Sequence, residues 1–217
     1  MTHHPSAELL VAYASGAVPD GVELVVACHL ERCPLCRAEV AAAEAVGGVM
    51  LDEAPAVPLS VDFDALLARV VVAPPAPARP PPAPDPVFPA PLVRRLSTTM
   101  SAPFVGVSGL PWRFVVPGAR RVSLPVGPGP RATLWLFGGG FRPPRHTHPG
   151  DELTLVISGG YRDRHGAFGP GDVEERAAED AHEQRMDDEG CVALIVDEGP
   201  IVPTTWFGKL LARLASG

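Results

Sequence analysis

The sequence predicts an α + all-β chain of two domains: a small bundle of about four helices, then a β-barrel or sandwich. Three observations carry that prediction. Residues 6–72 show helical apolar spacing and runs rich in Ala and Glu. From Pro74 to Pro91, ten of eighteen residues are proline, a composition that excludes helix and central strand and behaves as an extended spacer. Beyond it, short runs rich in β-branched and aromatic residues alternate with Gly and Pro clusters at intervals of roughly ten residues. The expected division is therefore a helical domain over 1–72, a linker over 73–91 and a β domain over 92–217.

Within the first domain, Ser6 to Ser15 reads as a helix with Leu9, Leu10 and Tyr13 on one stripe. Pro19-Asp20-Gly21 breaks the chain before a second helix, Val22 to Leu30. A third runs from Cys33 to Val46 and is expected to stop at Gly47-Gly48. Ser60 or Asp62 can cap a fourth, in which Phe63, Leu66, Leu67 and Val70 recur at i, i+3, i+4 and i+7. That stripe suits either packing on the first three helices or docking into a partner.

His29, Cys33 and Cys36 form a His-x₃-Cys-x₂-Cys run at the junction of the second and third helices. Two sulfurs and an imidazole at this spacing supply three corners of a tetrahedral zinc site. Pro34 fits the first position of the third helix, where its missing N–H costs nothing. For the fourth corner the candidates are His3 and His4, of which His4 is preferred because Pro5 and Ser6 read as a turn and helix cap. Cys28 competes, but helix neighbours point about 100° apart and seldom share one metal. Two buried free thiols are the plain alternative for Cys33 and Cys36. A seventy-residue helical domain has a thin core, and a metal staple is physically plausible for it.

The expected strands are Trp112 to Val116, Val122 to Leu124, Thr133 to Phe137, Leu153 to Ile157 and Val192 to Val196. Trp206 to Leu214 reads as a short amphipathic helix closing the chain. Inside this region lies Gly140-x₅-His146-x-His148-x₃-Glu152-x₆-Gly159. Two histidines two apart on a strand share a face, and Glu152 returns to it after the Pro149-Gly150 turn. Imidazoles and a carboxylate converging inside a barrel make a metal-ligand set. His182, beyond the Gly169-Pro170-Gly171-Asp172 turn, is expected to complete it, with His165 the alternative. Cys191, isolated at the start of a strand, reads as a small core residue or, less simply, an oxidant-sensing thiol.

Charge is unevenly placed. Residues 1–72 hold ten acids and three bases and so carry the whole net charge of −7. That disfavours direct contact with nucleic acid through the helical domain and suits a partner with a basic surface. No apolar run approaches the roughly 18–20 residues of a membrane span, and the first residues do not read as a secretion signal. A cytoplasmic protein with reduced cysteines is expected.

The Gly-to-Gly run of the β region resembles the first motif of the cupin superfamily, and the His-x₃-Cys-x₂-Cys run with a preceding histidine resembles zinc-binding anti-sigma domains. In this order the pair resembles the ChrR-type anti-sigma factors over nearly the whole chain outside the linker. The resemblance implies a first domain that binds zinc through His4, His29, Cys33 and Cys36 and inhibits an extracytoplasmic-function sigma factor. It implies a cupin-like domain holding zinc or another divalent metal through His146, His148, Glu152 and His182, needed for release by singlet oxygen or related oxidants. One departure is plain: His182 lies eleven residues beyond Gly171 rather than soon after the turn, and Glu183 to Met186 follow it in place of an asparagine. The competing reading is a cupin-type metalloenzyme, a dioxygenase or isomerase, with an accessory zinc domain. No catalytic residue is assigned under the first reading.

Overall fold

Helix α1 (Ala7–Ala14) starts where Ser6 Oγ accepts a hydrogen bond from the Leu9 N–H, the arrangement that satisfies an otherwise unpaired first-turn donor. Helix α2 (Asp20–Arg32) carries Asp20 and Glu23 in its first turn and His29 and Arg32 in its last, charges matched to the helix dipole. Helix α3 (Pro34–Asp52) opens on Pro34, with Cys33 Sγ accepting from the Cys36 N–H at its start. The computed structural model that displays these elements describes residues 1–58, 60–72, 85–99, 106–178 and 180–204.

Two expectations change here. Gly47-Gly48 does not end α3, which runs on to Asp52. Glycine stops a helix by taking the left-handed cap conformation, and neither of these has a positive φ, so each costs propensity alone. The other is an unforeseen helix, α5 (Ala90–Thr99), reached after α4 (Phe63–Val72). Pro91 masks it in the sequence, yet a proline in the first turn of a helix removes no needed donor. Asp62, not Ser60, caps α4: its Oδ1 accepts from the N–H groups of Asp64 and Ala65.

Helix α2 is covered on two sides. One side packs Val26 and Leu30 with Leu10 of α1 and Val40 of α3, beside Cys33 and Cys36. On the other, Leu24, Val25 and Cys28 join a single apolar cluster with Leu92 and Leu96 of α5 and with the β region. Burial of each such aliphatic side chain stabilises by about 1.5–3 kcal/mol. Polar bonds fasten α5 as well: Glu31 Oε2 accepts from the Ala90 N–H at 2.6 Å, and Arg95 pairs with Asp20.

The described strands are β1 (Arg113–Val116), β2 (Ala119–Leu124), β3 (Arg131–Phe137), β4 (His146–Thr147), β5 (Glu152–Asp163), β6 (Gly166–Phe168), β7 (Val173–Arg176), β8 (Arg185–Asp197) and β9 (Val202–Pro203). A seven-stranded antiparallel sheet runs β1-β2-β3-β8-β5-β6, with β7 also on β5, and β4 pairs with β9. Each expected strand is present, lengthened at one or both ends or, for Trp112 to Val116, trimmed by one residue. Bulges in β5 fall between Val156 and Ser158 and between Gly159 and Tyr161, where the long strand bends against β8. Gly159 sits at φ +67°, and a Cβ there would lie 2.0 Å from the Gly190 carbonyl oxygen, so this framing glycine is required by both backbone and space. The closing helix expected over 206–214 and residues 73–84 of the linker expected over 73–91 lie outside the described residues.

Candidate metal centres

The end of α2 and the start of α3 bring His29, Cys33 and Cys36 together, and the extended residues before α1 deliver His4. The four candidate ligand atoms lie within 4.8 Å of one another. His4 Nδ1 is 3.4 Å from both Cys33 Sγ and Cys36 Sγ, and His29 Nε2 is 3.3 Å from Cys36 Sγ. A tetrahedron with arms of the Zn–N and Zn–S lengths has N···S edges of about 3.6 Å, so this donor set fits such an ion. Burial, and then the neighbouring Cys33, push the Cys36 thiol up to about 12. The protein alone thus favours the thiol, and a cation between the sulfurs would favour the thiolate. Burial lowers His29 below the ordinary imidazole range and keeps it in the neutral, ligating form.

His29 Nδ1 is 2.7 Å from the Gly171 carbonyl of the β region. Since a carbonyl only accepts, Nδ1 carries the proton and Nε2 presents its lone pair to the cluster. The next residue, Asp172, accepts from the backbone N–H groups of Thr2 and His3, and the Val173 N–H donates to the His3 carbonyl. Both histidines of the first cluster are therefore positioned by the Gly169-Pro170-Gly171-Asp172 turn. The sequence shows that turn plainly but not what it touches.

A second cluster gathers His146, His148, Glu152 and His182, all buried. His146 and His182 exchange backbone hydrogen bonds at 3.1 and 3.2 Å, a bridge that compensates for the distance between His182 and the preceding turn. His146 Nδ1 donates to the Pro144 carbonyl at 2.7 Å and His182 Nδ1 to the Asp180 carbonyl at 3.0 Å. Each leaves Nε2 facing inward, and His182 Nε2 is buried without a hydrogen-bond partner. His148 Nε2 lies 2.9 Å from Glu152 Oε2. Burial lowers His146 to about 4, so it is neutral at ordinary pH. For Glu152 burial opposes ionisation, but the imidazole of His148 and then the other two outweigh it and hold the carboxyl below its usual range. Three imidazoles and one carboxylate fit a divalent first-row cation.

The rival residues stand apart. His3 packs at a tilt on Phe168 with ring centroids 4.1 Å apart, and Cys28 is buried in the apolar cluster of α2. His165 is exposed and accepts from Arg164 Nε. Cys191 is buried among Phe137, Tyr161 and Met186, and burial raises its thiol to about 12, which suits a core residue. A polar network unseen in the sequence lies beside the second cluster: Tyr161 donates to Glu174 at 2.7 Å, and Arg176 pairs with Glu174 and Asp163.

Comparison with known proteins adds three findings. Residues 102–202 match the family model described as the ChrR cupin-like domain. The anti-sigma-E factor ChrR of Cereibacter sphaeroides is 37% identical over 221 residues, covering 96% of this chain and 95% of that protein. A crystal structure of Rhodobacter sphaeroides SigE in complex with the anti-sigma ChrR is similar at a TM-score of 0.74 and 34% identity, covering 90% of this chain and 98% of the matched chain.

Proposed function

The chain belongs to the ChrR family, and from that premise we propose that it is an anti-sigma factor that binds and inhibits an extracytoplasmic-function sigma factor. The observation that carries the reading is the apolar face of α4, which is exposed among the described residues. Phe63, Leu67 and Val70 are 59%, 47% and 64% exposed, and Val49, Met50 and Leu51 at the end of α3 are exposed too. Large apolar side chains in such number are unusual on a free surface and mark a protein-docking site. The acidic balance of residues 1–72 suits a partner whose own surface is basic for promoter DNA. It equally disfavours direct binding of nucleic acid by this segment.

In this reading residues 1–72 inhibit, 73–91 connect and 92–217 sense. His4, His29, Cys33 and Cys36 hold a zinc ion that is structural, because four protein ligands leave no open position. His146, His148, Glu152 and His182 hold zinc or another divalent metal. An oxidative signal such as singlet oxygen, received in the cupin-like region, releases the sigma factor. Support for that route is the bond from His29 to Gly171 together with the Asp172 contacts, which tie both histidines of the zinc cluster to the barrel. The protein works in the cytoplasm, beside its partner. Among the described residues no helix is long and apolar enough to cross a membrane. The alternative of a cupin-type dioxygenase or isomerase finds no support in the relatives that match the whole chain, which are anti-sigma factors.

Co-expression with the cell's extracytoplasmic-function sigma factors, followed by affinity capture, tests the reading. The wild-type chain should retain one such factor. Cys33→Ser should lose it through loss of the zinc-stapled helices, and Phe63→Ser combined with Leu67→Ser should lose it while keeping the wild-type melting temperature. Retention of the factor by both variants would sink the proposal.

A further inference from the structure

A cavity of about 510 Å³ opens on the β region next to the second metal cluster, within the size range of roughly 300–1,000 Å³ in which proteins hold small molecules. Arginines dominate its wall. Arg162 lies 3.3 Å from Asp187, and Arg164 pairs with Asp180. Arg142, Arg145 and Arg185 are exposed and make no ion pair among the described residues. Of the carboxylates in the wall, Asp163 is already matched by buried Arg176, which leaves Glu183 facing three guanidinium groups. Like charges converging on one concavity repel, and an anion seated among them relieves that repulsion.

The cavity also reaches the second cluster: His182 is one of its lining residues, while His182 Nε2 faces the other three ligands. An occupant of the cavity would therefore sit against the edge of the His146, His148, Glu152 and His182 cluster. The planar guanidinium fork matches the geometry of carboxylate and phosphate oxygens. We propose that the cavity binds a small organic oxyanion, a carboxylate or a phosphate ester, held by Arg142, Arg145 and Arg185 beside the barrel's metal-ligand cluster. Such a site makes the β region a receptor for a small molecule.

Calorimetric titration of the full-length, metal-replete protein with benzoate and with inorganic phosphate tests the site, with chloride at equal ionic strength as the control. Saturable binding of at least one probe is expected. Benzoate alone would identify a carboxylate ligand, phosphate alone a phosphate ester, and both a general oxyanion site. Arg142→Gln, Arg145→Gln and Arg185→Gln should each weaken binding roughly tenfold, the loss of one charge-assisted hydrogen-bond partner. Arg120→Gln, an exposed arginine of β2 outside the cavity, should leave it unchanged. No saturable binding of either probe, or binding indifferent to the three arginines, overturns the proposal. Neither readout involves a sigma factor, so the result stands apart from the inhibitory reading.

Discussion

At the two glycines that frame the His-x-His run, backbone conformation explains the residue type directly. Gly140 and Gly159 have φ of +66° and +67°, a region that costs an L side chain about 1–2 kcal/mol. At Gly159 the cost is compounded by the Gly190 carbonyl oxygen 2.0 Å from any added Cβ. Gly159→Ala should therefore destabilise by more than the backbone term alone, and a melting curve of the metal-replete protein checks this; an unchanged melt would mean that β8 yields more easily than its packing implies. The histidines were legible by spacing because a strand's two-residue period puts His146 and His148 on one side. His182 was legible only as a candidate. What selects it over His165 is the backbone bridge to His146, a contact across 36 positions of chain that no local pattern encodes.

Elements were legible where periodicity was strong and illegible where proline intervened. Helices α1 to α4 follow from spacing and caps, whereas α5 hides behind Pro89 and Pro91 and reveals itself by what it buries, Leu92, Val93 and Leu96. Its attachment to α2 has a pH signature. Arg95, by hydrogen bonding, holds the Asp20 carboxyl below its usual range, aided by the Gly127 N–H. A depressed carboxylate contributes stability that is fully present above its unfolded pKa and is lost as pH falls through the folded value. The melting-temperature gap between wild type and Arg95→Gln should be largest near neutrality and close in acid below the ordinary carboxylate range. A gap that widens in acid would contradict the assignment. Because the pair is partly exposed, its worth is about 0.5–1 kcal/mol.

Over the whole molecule, the helical and β regions share one apolar cluster across α2, and the first metal-ligand cluster draws its supports from a barrel turn. Asp172 accepts from both Thr2 and His3, so Asp172→Asn should loosen the segment that presents His4. Loss of such a support lowers metal affinity by about tenfold or more at comparable sites, and chelator competition on the full chain measures it. Unchanged affinity would remove the mechanical link between the two regions. By itself the sequence determined the helical and β segments, the proline-rich stretch, the uneven charge and the local runs His29-x₃-Cys33-x₂-Cys36 and His146-x-His148-x₃-Glu152, because each depends on residue type and near-neighbour spacing. Only the tertiary structure decided that α2 is shared, that α4 keeps its apolar face exposed, that the Gly171 carbonyl orients His29 and that arginines with no ion pair among the described residues converge on one cavity. Those outcomes are contacts between segments far apart in the chain, chosen by packing and hydrogen-bond satisfaction that local pattern does not carry.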